Sequence, residues 1–246
     1  MKNLYFFFFS LLISSNLIAQ SGFITEESTI ASFKMGSMQS SVYKYFSEDT
    51  YYSKMDFSFK GKGLARVMSR DVKNGTIISF EDSTIIKINH KKKRFTKKLL
   101  SEVLEEIESE PENEPENQEN NASEEENFTP IVSDTLEMIN GFESYRVTLS
   151  EDEGQQYIWV TNTARQSNIV KSMQSKIDDF ERNWVNFDGD FSELGIDQDV
   201  IVVKAIFNDE DGSFEYNLKK YIPIDAPTNI FDIPEEYKKV KKLKIF

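Results

Sequence analysis

Histidine, cysteine and clustered carboxylates are where chemistry could reside, and the sequence offers few of them. Cysteine is absent, which removes disulfides, thiolate metal sites and thiol catalysis. The single histidine, His90, stands in Asn89-His90-Lys91-Lys92-Lys93-Arg94, so a Ser-His-Asp triad would have to use it. The cationic neighbours disfavour its imidazolium form, and the segment reads as a solvated turn. Asp209-Glu210-Asp211-Gly212 and Asp188-Gly189-Asp190 faintly resemble calcium loops. The first has Phe207 where the motif needs an oxygen ligand, and no Glu at the closing position, so it reads as a hairpin turn. The basic run Lys91–Lys98 would attract phosphate or lipid headgroups, yet it lacks interleaved aromatics beyond Phe95 and reads as a solvated surface. No catalytic residue, metal or cofactor is expected, and no nucleic-acid partner.

The elements that would position any site are mostly strands. Residues 50–60 alternate cleanly: Tyr51, Ser53, Met55, Phe57 and Phe59 on one face, Tyr52, Lys54, Asp56, Ser58 and Lys60 on the other. Gly61-Lys62-Gly63 reads as a turn into a strand over Leu64–Arg70. Asn74-Gly75 reads as a hairpin turn before Thr76–Phe80, and Glu81-Asp82 as a turn into Ser83–Asn89. The period then changes. Leu99, Leu100, Val103, Leu104 and Ile107 predict an amphipathic helix over Lys97–Glu108. Strands resume at Ile131–Ile139, turn at Asn140-Gly141, and continue over Phe142–Leu149 and Gln155–Thr161. Ile169, Met173, Ile177, Phe180 and Trp184 predict a second helix over 169–184, and Val200–Phe207 and Phe214–Ile222 close the pattern. The class is β-dominated α+β, with helices covering one face of a sheet.

Two segments lie outside that pattern. Met1–Asn3 is a short basic start, Leu4–Ile13 is apolar, and Ala19 precedes Gln20. Ten apolar residues are too few to span a bilayer, which needs about twenty, so residues 1–19 read as a cleavable signal peptide and the mature chain as exported, to the periplasm or beyond. The net charge of −13 is concentrated locally: residues 105–127 hold eleven Glu and no Lys or Arg. Residues 108–128 are low-complexity, Pro-punctuated and like-charged, and are expected to form a disordered insertion in a single domain over 20–246.

Certain motifs carry a resemblance. Lys54-Met55-Asp56-Phe57 is followed by the basic segment, then by Ile139-Asn140-Gly141-Phe142-Glu143-Ser144-Tyr145-Arg146-Val147, by Ile158-Trp159-Val160-Thr161, and by Phe231-Asp232-Ile233-Pro234-Glu235-Glu236-Tyr237-Lys238. This order resembles an uncharacterised family of exported gram-negative proteins of the Bacteroidota type, distantly similar to the periplasmic lipoprotein carrier. The resemblance implies a half-barrel: a curved antiparallel sheet with two or three helices on its concave face. It also implies an apolar interior open to an acyl chain, but carries no ligand-contacting residue across by motif; the candidate lining, Met55, Phe57, Phe59, Trp159, Met173 and Phe180, is read from the apolar stripes of the strands and helices. On that reading the protein is a non-enzymatic envelope protein with a lipid or lipoprotein as partner, and not an integral membrane protein. The alternative is a protein–protein interaction or structural module with a filled core.

Overall fold

Alternation builds strand β3 (Thr50–Gly61) much as its sequence predicts, and the strands around it form one open sheet. The computed structural model describes residues 22–109, 131–151, 154–162, 167–178, 180, 200–224 and 230–243. The signal-peptide reading, the acidic insertion, Trp184 and Asp188-Gly189-Asp190 lie outside these residues.

The chain begins with β1 (Gly22–Phe33) and β2 (Gly36–Phe46), then β3. A 3-10 helix (Gly63–Met68) leads into β4 (Arg70–Ser79), β5 (Thr84–Asn89), β6 (Arg94–Leu99) and helix α1 (Leu100–Ser109). Next come β7 (Ile131–Ile139), β8 (Phe142–Glu151), β9 (Gly154–Thr161) and helix α2 (Asn168–Ile177). The chain ends with β10 (Ile201–Asn208), β11 (Gly212–Ile224) and the short β12 (Lys238–Lys239). The sheet order is β12-β6-β5-β4-β3-β2-β1-β11-β10-β9-β8-β7. All pairings are antiparallel except β12 with β6. The fold is therefore the strand-dominated, curved open sheet expected of a half-barrel. Register shifts at Glu26/Glu27, Val132/Leu136 and Val202/Lys204 add local twist of the kind that bends a sheet.

Each face carries its own core. On the concave face Phe23, Phe46, Tyr51, Ile78 and Ile85 pack with Leu100 and Val103 of α1 and with Val170, Met173 and Ile177 of α2. Helix α2 starts where Ser167 caps it, its hydroxyl accepting from the Ile169 N–H at 3.2 Å while its own N–H donates to the Tyr221 hydroxyl at 2.7 Å. On the convex face Ile24, Tyr45, Tyr52, Ile77 and Ile88 form a second cluster. It is covered by the C-terminal segment through Ile230, Phe231 and Tyr237, with the Tyr45 and Phe231 rings 5.5 Å apart.

Three local expectations differ from what forms. Leu64–Arg70 is not a strand: the Ala65 N–H bonds to the Lys62 carbonyl and the Ser69 N–H to the Arg66 carbonyl, closing 3-10 turns instead. Asn74-Gly75 is not a turn but lies inside β4, paired with Met55 and Lys54. A Cβ on Gly75 would sit 2.8 Å from His90 Nε2, a side-chain end that would have to shift, and 3.3 Å from the Ser53 carbonyl oxygen. Lys97–Leu99 is strand rather than helix, since it pairs with Thr84–Ile86; the helix begins one residue later, where Glu102 accepts from the Leu99 N–H at 3.1 Å.

Candidate ligand-binding face

Cross-strand register sorts the concave face into rows, since directly paired residues point the same way. Beside the packed row of Phe23, Phe46, Tyr51, Ile78 and Ile85 runs a polar belt of Thr25, Lys44, Ser53, Thr76, Lys87 and Thr96. Beyond the belt apolar side chains return, in rows they share with Asn74, Ser40 and Arg70. Val42 pairs with Met55, Phe57 with Val72, and Met38 with Phe59. These six side chains are all half-buried. None belongs to, or is packed against, either core cluster among the described residues.

An ion pair joins the belt to the apolar rows. Lys44 Nζ lies 3.2 Å from one Glu27 oxygen and donates to the other at 3.3 Å, and the Thr25 hydroxyl donates to Glu27 Oε1 at 3.2 Å. The Lys44 and Glu27 side chains are only 14% and 19% exposed. The bulge at Glu26/Glu27 helps aim this carboxylate: Glu26 pairs with Lys220 but Glu27 with Leu218, so β11 skips one residue. Across the same face burial pushes the Tyr216 phenol well above its ordinary range, and the Glu27 carboxylate adds to the effect.

The sequence-derived lining residues divide into two groups. Met55, Phe57 and Phe59 share the open rows. Met173 is fully buried in the packed half under α2, and Phe180 packs edge-on to Phe80 with ring centroids 6.5 Å apart. Trp159 points to the other side of β9 from Ile158 and Val160, yet it is buried and belongs to the first core cluster. It pairs with Arg146 and Lys204, its indole N–H donates to Glu137 at 3.0 Å, and the Lys204 ammonium lies 5.5 Å from its ring centroid. Sequence reading passed over Met38, Val42, Val72, Glu27 and Lys44. They join the site only through the pairing of β1, β2, β3 and β4, which no local pattern encodes.

The remaining sequence candidates become structural. His90 is half-buried, not solvated. Its Nδ1 is 3.1 Å from the Tyr237 hydroxyl, and burial, with Lys54 and Lys73 adding, holds its pKa below the ordinary value. Asp209 Oδ1 accepts from the N–H groups of Asp211 and Gly212 at 2.8 and 2.7 Å, making the β10–β11 hairpin turn. In the basic run, Lys93 lies 3.6 Å from Glu236 and Lys98 pairs with Glu106 of α1. Among the described residues no group of three His, Asp or Glu is placed to hold a metal, and no helix is long and apolar enough to cross a membrane.

A family model described as Domain of unknown function (DUF4412) matches residues 44–237. The chain belongs to that family. DUF4412 therefore takes in most of the sheet, including the open apolar rows from Lys44 onward. No curated protein matches the chain at a significant level. Among solved structures it is similar to LprF from Mycobacterium bovis, at 8% identity and a TM-score of 0.33, covering 93% of this chain and 96% of that one. It is also similar to PNGF-II, at 10% identity and a TM-score of 0.29, covering 90% of this chain; the match spans only 32% of the PNGF-II chain. A third is described as a candidate outer membrane lipoprotein-sorting protein domain from Vibrio parahaemolyticus, at 9% identity and a TM-score of 0.20, covering 84% of this chain and 86% of that one. At these scores none of the three assigns a function to this DUF4412 chain.

Proposed function

We propose that this protein is a non-enzymatic, exported envelope protein that holds an acyl chain, of a free lipid or of a lipoprotein, on the open half of its concave face. The observation that carries this reading is the set of half-buried apolar rows, Met38, Val42, Met55, Phe57, Phe59 and Val72, lying outside both packed cores yet beside the Lys44–Glu27 pair. Such a face suits an amphiphile. The chain lies over the methionines and phenylalanines, and oxygen acceptors of the head approach Lys44, Ser53 and Thr76. Methionine is suited to the task because its unbranched thioether adapts to chains of different shape.

Burial of the chain supplies part of the binding energy. A fully buried methylene contributes about 0.8 kcal/mol. On an open face about half of that is realised, so a chain of fourteen to eighteen carbons gains about 5–7 kcal/mol before association costs, short of the roughly 8 kcal/mol of micromolar binding, and the head contacts must supply the rest. Export rests on residues 1–19. Mass spectrometry of the natively purified mature chain tests the reading: co-purifying lipid at a stoichiometric level supports it, and lipid-free protein that takes up none on incubation opposes it.

One observation favours a protein–protein interaction module instead. Strand β7 ends the sheet order, and its Ile131, Leu136 and Met138 are exposed. An apolar edge strand is a template for pairing with another chain. Concentration-dependent dimerisation abolished by Leu136→Lys, with no lipid uptake, would favour that reading.

A further inference from the structure

At one end of the sheet the β1–β2 turn and the β3–β4 connection are tied together, the Lys62 N–H donating to the Met35 carbonyl at 2.8 Å. From this joint four large apolar side chains project into solvent: Leu64 is 96% exposed, Val67 90%, Met35 68% and Met68 65%. The 3-10 helix that carries three of them buries no residue at all. It is nonetheless held firmly. The Gly61 N–H donates to the Ser69 hydroxyl at 2.9 Å, and a Cβ on Gly61 would lie 1.9 Å from the Ala65 carbonyl oxygen, so the loop packs directly on the strand end.

Exposed leucine, valine and methionine on a braced loop demand a reason, because single apolar residues scatter over surfaces but clusters mark contact sites. The charges on the β3–β4 connection itself are cationic, while the acidic β10–β11 turn, Asp209-Glu210-Asp211, lies beside the β1–β2 turn and is joined to it by the Lys34–Asp211 pair. Residues 57–70 contain Lys60, Lys62, Arg66 and Arg70 and no Asp or Glu. Among the described residues no carboxylate lies within ion-pair distance of Lys60, Lys62 or Arg66. A protein partner is gripped chiefly through pockets that receive anchor side chains. A bilayer needs none: apolar tips enter the acyl region while cations stay at the headgroups.

We propose that Met35, Leu64, Val67 and Met68 form a knuckle that inserts into the surface of an anionic phospholipid bilayer, with Lys60, Lys62 and Arg66 on the headgroups. This surface is distinct from the acyl-binding face and stands whether or not that face takes a ligand. The two are adjacent, however: the Met38–Phe59 pair is the last apolar row before Gly61, so the open face ends at the knuckle.

Flotation of the mature chain with phosphatidylethanolamine–phosphatidylglycerol vesicles, against pure phosphatidylcholine vesicles, tests this. The wild type floats with the anionic vesicles and less with the neutral ones, and added salt weakens it. The double variant Leu64→Asp/Val67→Asp loses binding by at least about tenfold. Lys62→Glu/Arg66→Glu loses it by more than about fivefold per cation and flattens the salt dependence. All four positions are exposed, so the variants keep the wild-type melting temperature and acyl-probe uptake, which separates this test from that of the ligand face. Wild-type protein that stays at the bottom with anionic vesicles overturns the proposal, as do Asp or Glu variants that float like the wild type.

Discussion

Lys44 reaches across the β1–β2 ladder to Glu27, and the two meet on the concave face where fully packed core gives way to half-buried apolar rows. The pair joins strands across 17 positions of sequence. It sits where a fold built for stability alone would place two apolar side chains.

Removing one partner should therefore cost more than removing both. Glu27→Met and Lys44→Met are each expected to lower stability by about 1–3 kcal/mol, the range for stranding a partly buried charged group. Glu27→Met with Lys44→Met should cost less than the two single changes summed. Urea midpoints measure this, and additive single and double effects would count against a coupled pair.

His90 makes stability depend on pH. Its folded pKa is held below the ordinary value of 6.5, chiefly by burial and then by Lys54. The unfolded chain therefore binds the proton more readily, and stability falls as pH drops from 6.5 towards the folded pKa, then levels off. His90→Gln is expected to remove that slope while leaving the Tyr237 side of the convex core in place. Unfolding curves between neutral and mildly acid pH report it; an unchanged slope in the variant would assign the dependence elsewhere.

Gly61 is a steric requirement. Its Cβ in Gly61→Ala would run into backbone, at the Ala65 carbonyl oxygen, rather than into a movable side-chain end. The 3-10 turn must shift or the strand end must open, at about 1–3 kcal/mol. A melting temperature equal to that of the wild type would show that the turn is not held as described.

The sequence made β3 legible because its alternation is local, and the turn at Asn140-Gly141 because both residues take left-handed backbone angles, φ 52° and 89°. The same dipeptide at Asn74-Gly75 misleads. Its glycine lies against His90, which arrives from the end of β5, and no local signal carries that. Leu64–Arg70 reads as a strand because it follows the Gly61-Lys62-Gly63 turn, but its apolar Leu64, Val67 and Met68 are exposed, so burial does not select a strand there. Strands β1 and β2 are rich in Ser, Thr and Gln and gave little pattern, and with them went Met38, Val42 and the Lys44–Glu27 pair. Half of the candidate site was thus readable from β3, and half depended on which strands pair with it. Trp159 shows the converse: its motif was visible, but only register reveals that it faces away from Met55 and Phe57.

Chain length is a direct gauge of the open face. Affinity for saturated acyl chains is expected to rise by about twofold per added methylene, half the gain of complete burial, until the rows are filled. A series flat in chain length would mean that the head alone is recognised.

The most direct measurement is the titration of the mature protein with a fluorescent sixteen-carbon fatty-acid probe, in the wild type and in Phe57→Asp, with Met55→Ser as a milder companion in case the first fails to fold. The account predicts saturable binding at one site, a loss of about tenfold or more in Phe57→Asp and a smaller loss in Met55→Ser. No saturable uptake by the folded wild type, or equal uptake by folded Phe57→Asp, would contradict it.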